Sequence, residues 1–170
     1  MFRLEPAINA KRRPPERGFS IIEITVVILI IAIAAAFLIP QAIAYMRMYR
    51  LGLGARNVST AIQRARFLAT SNNTRAGILV PTVQRVQIEQ YDPDGLKEPE
   101  SKGTIDLPQG VMVADDAPRQ IDFDGRGVVT PMPIVSPTIR LNGPNGYFVF
   151  VTVSPTGQVT VSETKREDKK

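Results

Sequence analysis

A chain of 170 residues with 21 Lys+Arg, 16 Asp+Glu, no His and no Cys has room for one ordinary domain and an accessory segment. The missing Cys and His exclude a disulfide framework, thiolate or imidazole metal ligands, and Ser/His/Asp or Cys/His catalytic groups. The net charge of +5 is unevenly held: residues 1–18 carry five basic side chains against two acidic ones, which leaves the rest at +2, too little for a strongly basic nucleic-acid binder.

In chain order, residues 1–18 come first, a basic leader with Arg3, Lys11, Arg12, Arg13 and Arg17 and with Pro6, Pro14 and Pro15. They hold nothing with which to build a core. The apolar run then starts abruptly. Phe19 to Ile39 is 21 residues, which as a helix spans roughly 30 Å, about one bilayer core. Its many Ile and Val side chains are poor helix formers in water, but in lipid the backbone has to bond to itself. A single-pass membrane helix is therefore expected over 19–39. Five basic residues precede it and Arg47, Arg50 and Arg56 follow, a bias that favours a cytoplasmic N-terminus and a C-terminal domain across the membrane.

Glu23 breaks the pattern. It is the fifth residue counted from Phe19, on the apolar side of the boundary, and no other charge follows before Arg47. A carboxylate there costs several kcal/mol unless it snorkels or meets a cation. One reading keeps it at the interface, a single turn inside the helix. The other gives it a positive partner, which a new α-amino group would supply if the chain were cut before Phe19.

Arg17-Gly18-Phe19-Ser20-Ile21-Ile22-Glu23 resembles the type III signal of type IV prepilins and type II secretion pseudopilins. The resemblance implies cleavage after Gly18 by a prepilin peptidase, N-methylation of the new N-terminal Phe19, and a role in filament assembly for Phe19, Glu23 and Pro40. Pro40 stands where pilins commonly carry a helix-loosening proline. A rival processing site is Ala42-Ile43-Ala44, which resembles a signal-peptidase site and would release a soluble protein from Tyr45. Against it stands a signal of 44 residues with Glu23 inside its apolar part.

Beyond Pro40, Leu51, Ala55, Val58, Ile62, Ala65 and Ala69 recur at spacings of four and three, one apolar helix face. Gly52 and Gly54 each weaken that helix by about 1 kcal/mol relative to Ala, and Ser71-Asn72-Asn73-Thr74 supplies a stop. The helix is thus expected over 19–70, transmembrane first and then amphipathic. Seven arginines and no acid lie between Ile24 and Ile88. They read either as a track for a nucleic-acid backbone or as a solvated face, with Arg47 and Arg50 near lipid headgroups.

From Ala76 the period becomes strand-like. Nine short runs are expected: 76–80, 83–91, 104–107, 110–113, 120–123, 128–130, 138–141, 146–153 and 158–161. Turn signals such as Asp124-Gly125 and Ser154-Pro155-Thr156-Gly157 separate them. The last of these reads as a hairpin. The prolines between Pro81 and Pro155 exclude long helices. The expected fold is α+β, a long N-terminal helix packed on an antiparallel β domain over 71–162. The tail 163–170, charged at seven of eight positions, is expected to stay disordered.

Ala65-Arg66, Asp122-Phe123-Asp124-Gly125-Arg126-Gly127 and the segment Tyr147–Val161 around Ser154-Pro155-Thr156-Gly157 resemble the H-type minor pseudopilins and FimT-like proteins. The resemblance implies a pilin-like fold and a structural subunit of a type II secretion pseudopilus or related type IV filament. It implies as partners the prepilin peptidase/N-methyltransferase, the inner membrane and neighbouring pilins or pseudopilins. It places the chain first in the inner membrane and later in a periplasmic filament that assists protein export. Two alternatives stay open: a FimT-like minor pilin that takes up DNA, and a major pilin or pseudopilin. Against DNA uptake, Gly157-Gln158-Val159-Thr160-Val161 has no arginine where such proteins usually carry an Arg-rich motif.

No catalytic constellation, cofactor site or metal site is found. Asp122-Phe123-Asp124-Gly125 looks like the start of a calcium loop, but the later ligands and the closing Glu are missing. Turn chemistry accounts for these aspartates, and for Asp92, Asp94, Asp115 and Asp116.

Overall fold

A computed structural model of the chain describes residues 19–93, 97–131 and 135–167. The leader 1–18, Asp94, Gly95 and the last three tail residues lie outside them. The chain divides into two compact units, one ending at Pro40 and the other starting at Gln41. Helix α1, Ile21–Asn72, contributes to both.

In the second unit the expected stripe is the buried face of α1: Leu51, Ala55, Val58, Ile62, Ala65 and Ala69 are all buried, joined by Gly54 and Ala61. Gly54 is there for close approach rather than for bending, because a Cβ on it would lie 3.0 Å from Cγ1 of Val111. The helix runs two residues past the expected stop. Ser71 still bonds through Oγ to the Leu68 carbonyl at 3.3 Å, and the termination falls at Asn73, whose φ of 49° is left-handed. The Thr74 N–H then reaches back to the Ala69 carbonyl at 3.1 Å, a Schellman closure that satisfies an orphan helix carbonyl.

Among the described residues ten strands follow: β1 Ala76–Thr82, β2 Arg85–Gln90, β3 Glu100–Asp106, β4 Met112–Val113, β5 Gln120–Phe123, β6 Val129–Thr130, β7 Thr138–Asn142, β8 Tyr147–Val153, β9 Val159–Val161 and β10 Lys165–Arg166. They form not one antiparallel sheet but two. The first runs β3-β2-β1-β5-β6; the second runs β10-β8-β7-β4, with β9 also on β8. All pairings are antiparallel, and the hairpin expected at Ser154–Gly157 joins β8 to β9.

Register explains how the first sheet carries two different faces. Ile78 of β1 lies opposite both Ile88 and Ile121, so an apolar row crosses three strands on the core side. One residue earlier, Gly77 lies opposite both Glu89 and Asp122 on the other face. The second sheet adds Ile139, Leu141, Val149, Val151 and Val153, and the helix stripe and both sheets bury one continuous core.

The charged tail corrects an expectation. Lys165–Arg166 pairs with Tyr147–Phe148, the Glu167 N–H donates to the Gly146 carbonyl at 2.8 Å, and Arg166 stacks 5.7 Å over the Tyr147 ring. Composition misleads here because backbone pairing and an aromatic face hold the segment, not apolar side chains.

Candidate functional site

Among the expected site residues, Gly18 lies outside the described ones. Phe19 and Ser20 precede α1, and helical bonding starts with the Ile24 N–H donating to the Ser20 carbonyl at 3.2 Å. Glu23 therefore sits in the first turn of the helix, where unpaired N–H groups and the positive end of the helix dipole favour a carboxylate. Thr25, the one hydroxyl in the run after Ser20, turns Oγ1 back onto the Ile21 carbonyl at 2.9 Å. Pro40 is inside α1, and its missing N–H leaves the carbonyl of Ala36 without its usual partner.

From Ile21 to Ile39 every side chain is exposed except the half-buried Ala35, with Phe19 at 79% and Phe37 at 72%. This is one helix long and apolar enough to cross a membrane, and its most apolar stretch buries nothing within the chain.

In the second unit, three segments separate in sequence meet at Arg66. Its Nε donates to the Gly127 carbonyl at 3.0 Å. The β5–β6 turn carrying Gly127 and the β8–β9 turn carrying Gly157 are built alike. Gly127 and Gly157 have φ of 78° and 81°, and their N–H groups each donate at 2.8 Å to the carbonyl three residues back, of Asp124 and Ser154. Asp124 Oδ1 accepts from the Val128 N–H at 2.9 Å as Ser154 Oγ does from the Gln158 N–H at 3.0 Å. A Cβ on Gly157 would press on the Gly127 carbonyl and come within 2.6 Å of Arg66 Nε. Val129 of β6 also bonds to the Pro155 carbonyl at 3.0 Å, which ties the two sheets together.

Asp124 is thus a turn residue, as expected. The Val128 N–H above all, then Arg126, hold its carboxyl below the usual aspartate value. Asp122 is not a turn residue. It is buried within β5 and paired with Arg75. The sequence missed that pair because its members are far apart in the chain and Arg75 stands in no motif. Among the described residues no group of three or more acidic side chains could hold a metal ion.

Residues 13–39 match the prokaryotic N-terminal methylation motif. No curated protein matches the chain by sequence. Among solved structures, the chain is similar to the type IV minor pilin FimU of Pseudomonas aeruginosa in two crystal forms. In one the TM-score is 0.54 at 16% identity over 66% of this chain and 93% of that one; in the other it is 0.56 at 15% identity over 70% and 92%. It is similar also to the minor pseudopilin EpsH from the Type 2 Secretion System of Vibrio cholerae, with a TM-score of 0.52 at 13% identity over 66% of this chain and 96% of that one. A long N-terminal helix on antiparallel sheets, headed by a methylation motif, gives this chain a pilin-like fold.

Proposed function

We propose that the chain is a structural subunit, a minor pseudopilin of a type II secretion pseudopilus or of a related type IV filament. The motif match over 13–39 carries this reading, and the likeness to FimU and EpsH supports it. In this account a prepilin peptidase cuts after Gly18 and Phe19 is N-methylated. The subunit first crosses the inner membrane once, with its N-terminus cytoplasmic, and then enters a periplasmic filament that assists protein export. Lipid and later neighbouring subunits would cover the exposed run 19–39.

Inside such a filament Glu23 pairs with the α-ammonium of an adjacent Phe19. A buried pair adds little over an apolar contact, but removing one partner costs about 3–5 kcal/mol, so the pair sets register between subunits. Glu23→Ala should still insert and be cleaved, yet assemble poorly. Normal assembly of that variant would remove the pairing. DNA capture is less well supported: at about 100° per residue, Arg47 and Arg56 lie on opposite sides of α1 rather than on one track.

A further inference from the structure

The polar row on the outer face of the first sheet is unusual for how deeply it is covered. Glu89 of β2 and Asp122 of β5 are 8% and 4% exposed. They flank Gly77 of β1 on one face, with Cα atoms about 10 Å apart across two strand spacings. Gly77 leaves the gap between them open. A Cβ there would fall on Oδ1 of Asp122 and within 2.5 Å of the Ile121 carbonyl oxygen.

The two oxygens of Asp122 are treated differently. Oδ2 pairs with Arg75 and accepts from Gln120 Nε2 at 2.8 Å. Oδ1, turned over Gly77, is buried with no hydrogen-bond partner. A buried acceptor of this kind needs a donor, and the residue facing it across the glycine is an acid. We propose that Glu89 stays protonated in the folded chain and donates its carboxyl proton to Oδ1 of Asp122 across Gly77, closing a latch over three strands.

The charges balance only in that form. Arg75 answers Asp122, and among the described residues no second cation is paired there: Lys102 on β3 is engaged with Glu100 at 2.7 Å. The residue opposite Glu89 on β3 is the neutral Ser101. Tyr91 lies under the Arg75 guanidinium, 4.7 Å from ring centroid to Cζ, and bonds Gln120. Burial and then the Asp122 charge push the Glu89 carboxyl above the ordinary glutamate value. The same two causes lead in raising the Tyr91 hydroxyl. Because the folded value of Glu89 is raised, the latch contributes fully below the ordinary glutamate value and is lost as pH rises through the folded one. Taken alone, this contribution favours the folded domain more below the ordinary glutamate value than above the folded one.

The test uses the full chain in detergent micelles with 13C-labelled glutamate carboxyls. The Glu89 signal is assigned by its loss in Glu89→Gln. Its midpoint should lie above the ordinary glutamate range and fall towards it in Asp122→Asn. Glu89→Gln, which carries a permanent donor, should remove the Glu89 part of the pH dependence of thermal stability. An ordinary Glu89 midpoint, or an unchanged pH slope in Glu89→Gln, would overturn the latch, and neither readout needs the Asp122 variant to fold.

Discussion

Helix α1 holds two apolar stretches with opposite fates. From Phe19 to Ile39 the large side chains point all round the helix and stay exposed. From Leu51 to Ala69 the apolar side chains are fewer, and those on one stripe are buried while Leu53 and Phe67 stay exposed. A helix that is apolar on every side needs cover on every side. The β domain covers one stripe, so it serves the second stretch and not the first. Each large side chain left in water forgoes about 1.5–3 kcal/mol, and a run this long forgoes tens. The first stretch is therefore built to be covered from outside the chain, whereas the second is built to fold.

The sharpest way to break that contrast is to truncate one phenylalanine in each environment. Phe123 is fully buried at the end of β5, so Phe123→Ala should cost about 3–5 kcal/mol of unfolding free energy. Phe37→Ala should stay within about 0.5 kcal/mol in denaturant titrations of the micelle-bound chain. A large stability loss in Phe37→Ala would mean that the first stretch is part of the folded core after all.

A smaller effect is expected where the sheets are tied. Gly157 has a φ of 81° and no room for a Cβ, so Gly157→Ala should cost about 2–3 kcal/mol through strain and crowding. Arg66→Ala, which loses one bond to the Gly127 carbonyl, should cost about 1 kcal/mol. Chemical denaturation of both variants would check the order, and a reversed order would place the tie elsewhere.

The smallest effects separate the two like-built turns. Asp124→Ala removes a charged acceptor of the Val128 and Arg126 N–H groups and should cost about 1–2 kcal/mol near neutral pH. Because its folded value is lowered, that contribution is present above the ordinary aspartate value and fades as pH falls through the folded one. Ser154→Ala, with a neutral acceptor in the same place, should cost about 1 kcal/mol at every pH. Equal pH profiles for the two variants would contradict the assignment of Asp124.

Much of this was legible in the chain. The spacing of Leu51 to Ala69 marked the buried helix face, and alternation with Gly and Pro turns located nine strands. Local periodicity cannot say which strands share a sheet, so the division into two sheets was hidden. The strand at Lys165–Arg166 was hidden because its own side chains do not hold it. At the candidate site, Phe19, Glu23 and Pro40 stand out because their signal is linear in sequence. Arg66 could be flagged only as part of a resemblance, and its meeting with Gly127 and Gly157 is tertiary. Asp122 was misread for the same reason: Gln120 is two residues away, but Arg75 and Glu89 reach it only through the pairing of β1 with its neighbours.

Intact-mass and N-terminal peptide analysis of the membrane-bound protein from its native host decides whether the first stretch heads a processed filament subunit. Such a subunit should start at Phe19 with one added methyl group. A start at Tyr45, or an uncut Met1, would contradict it.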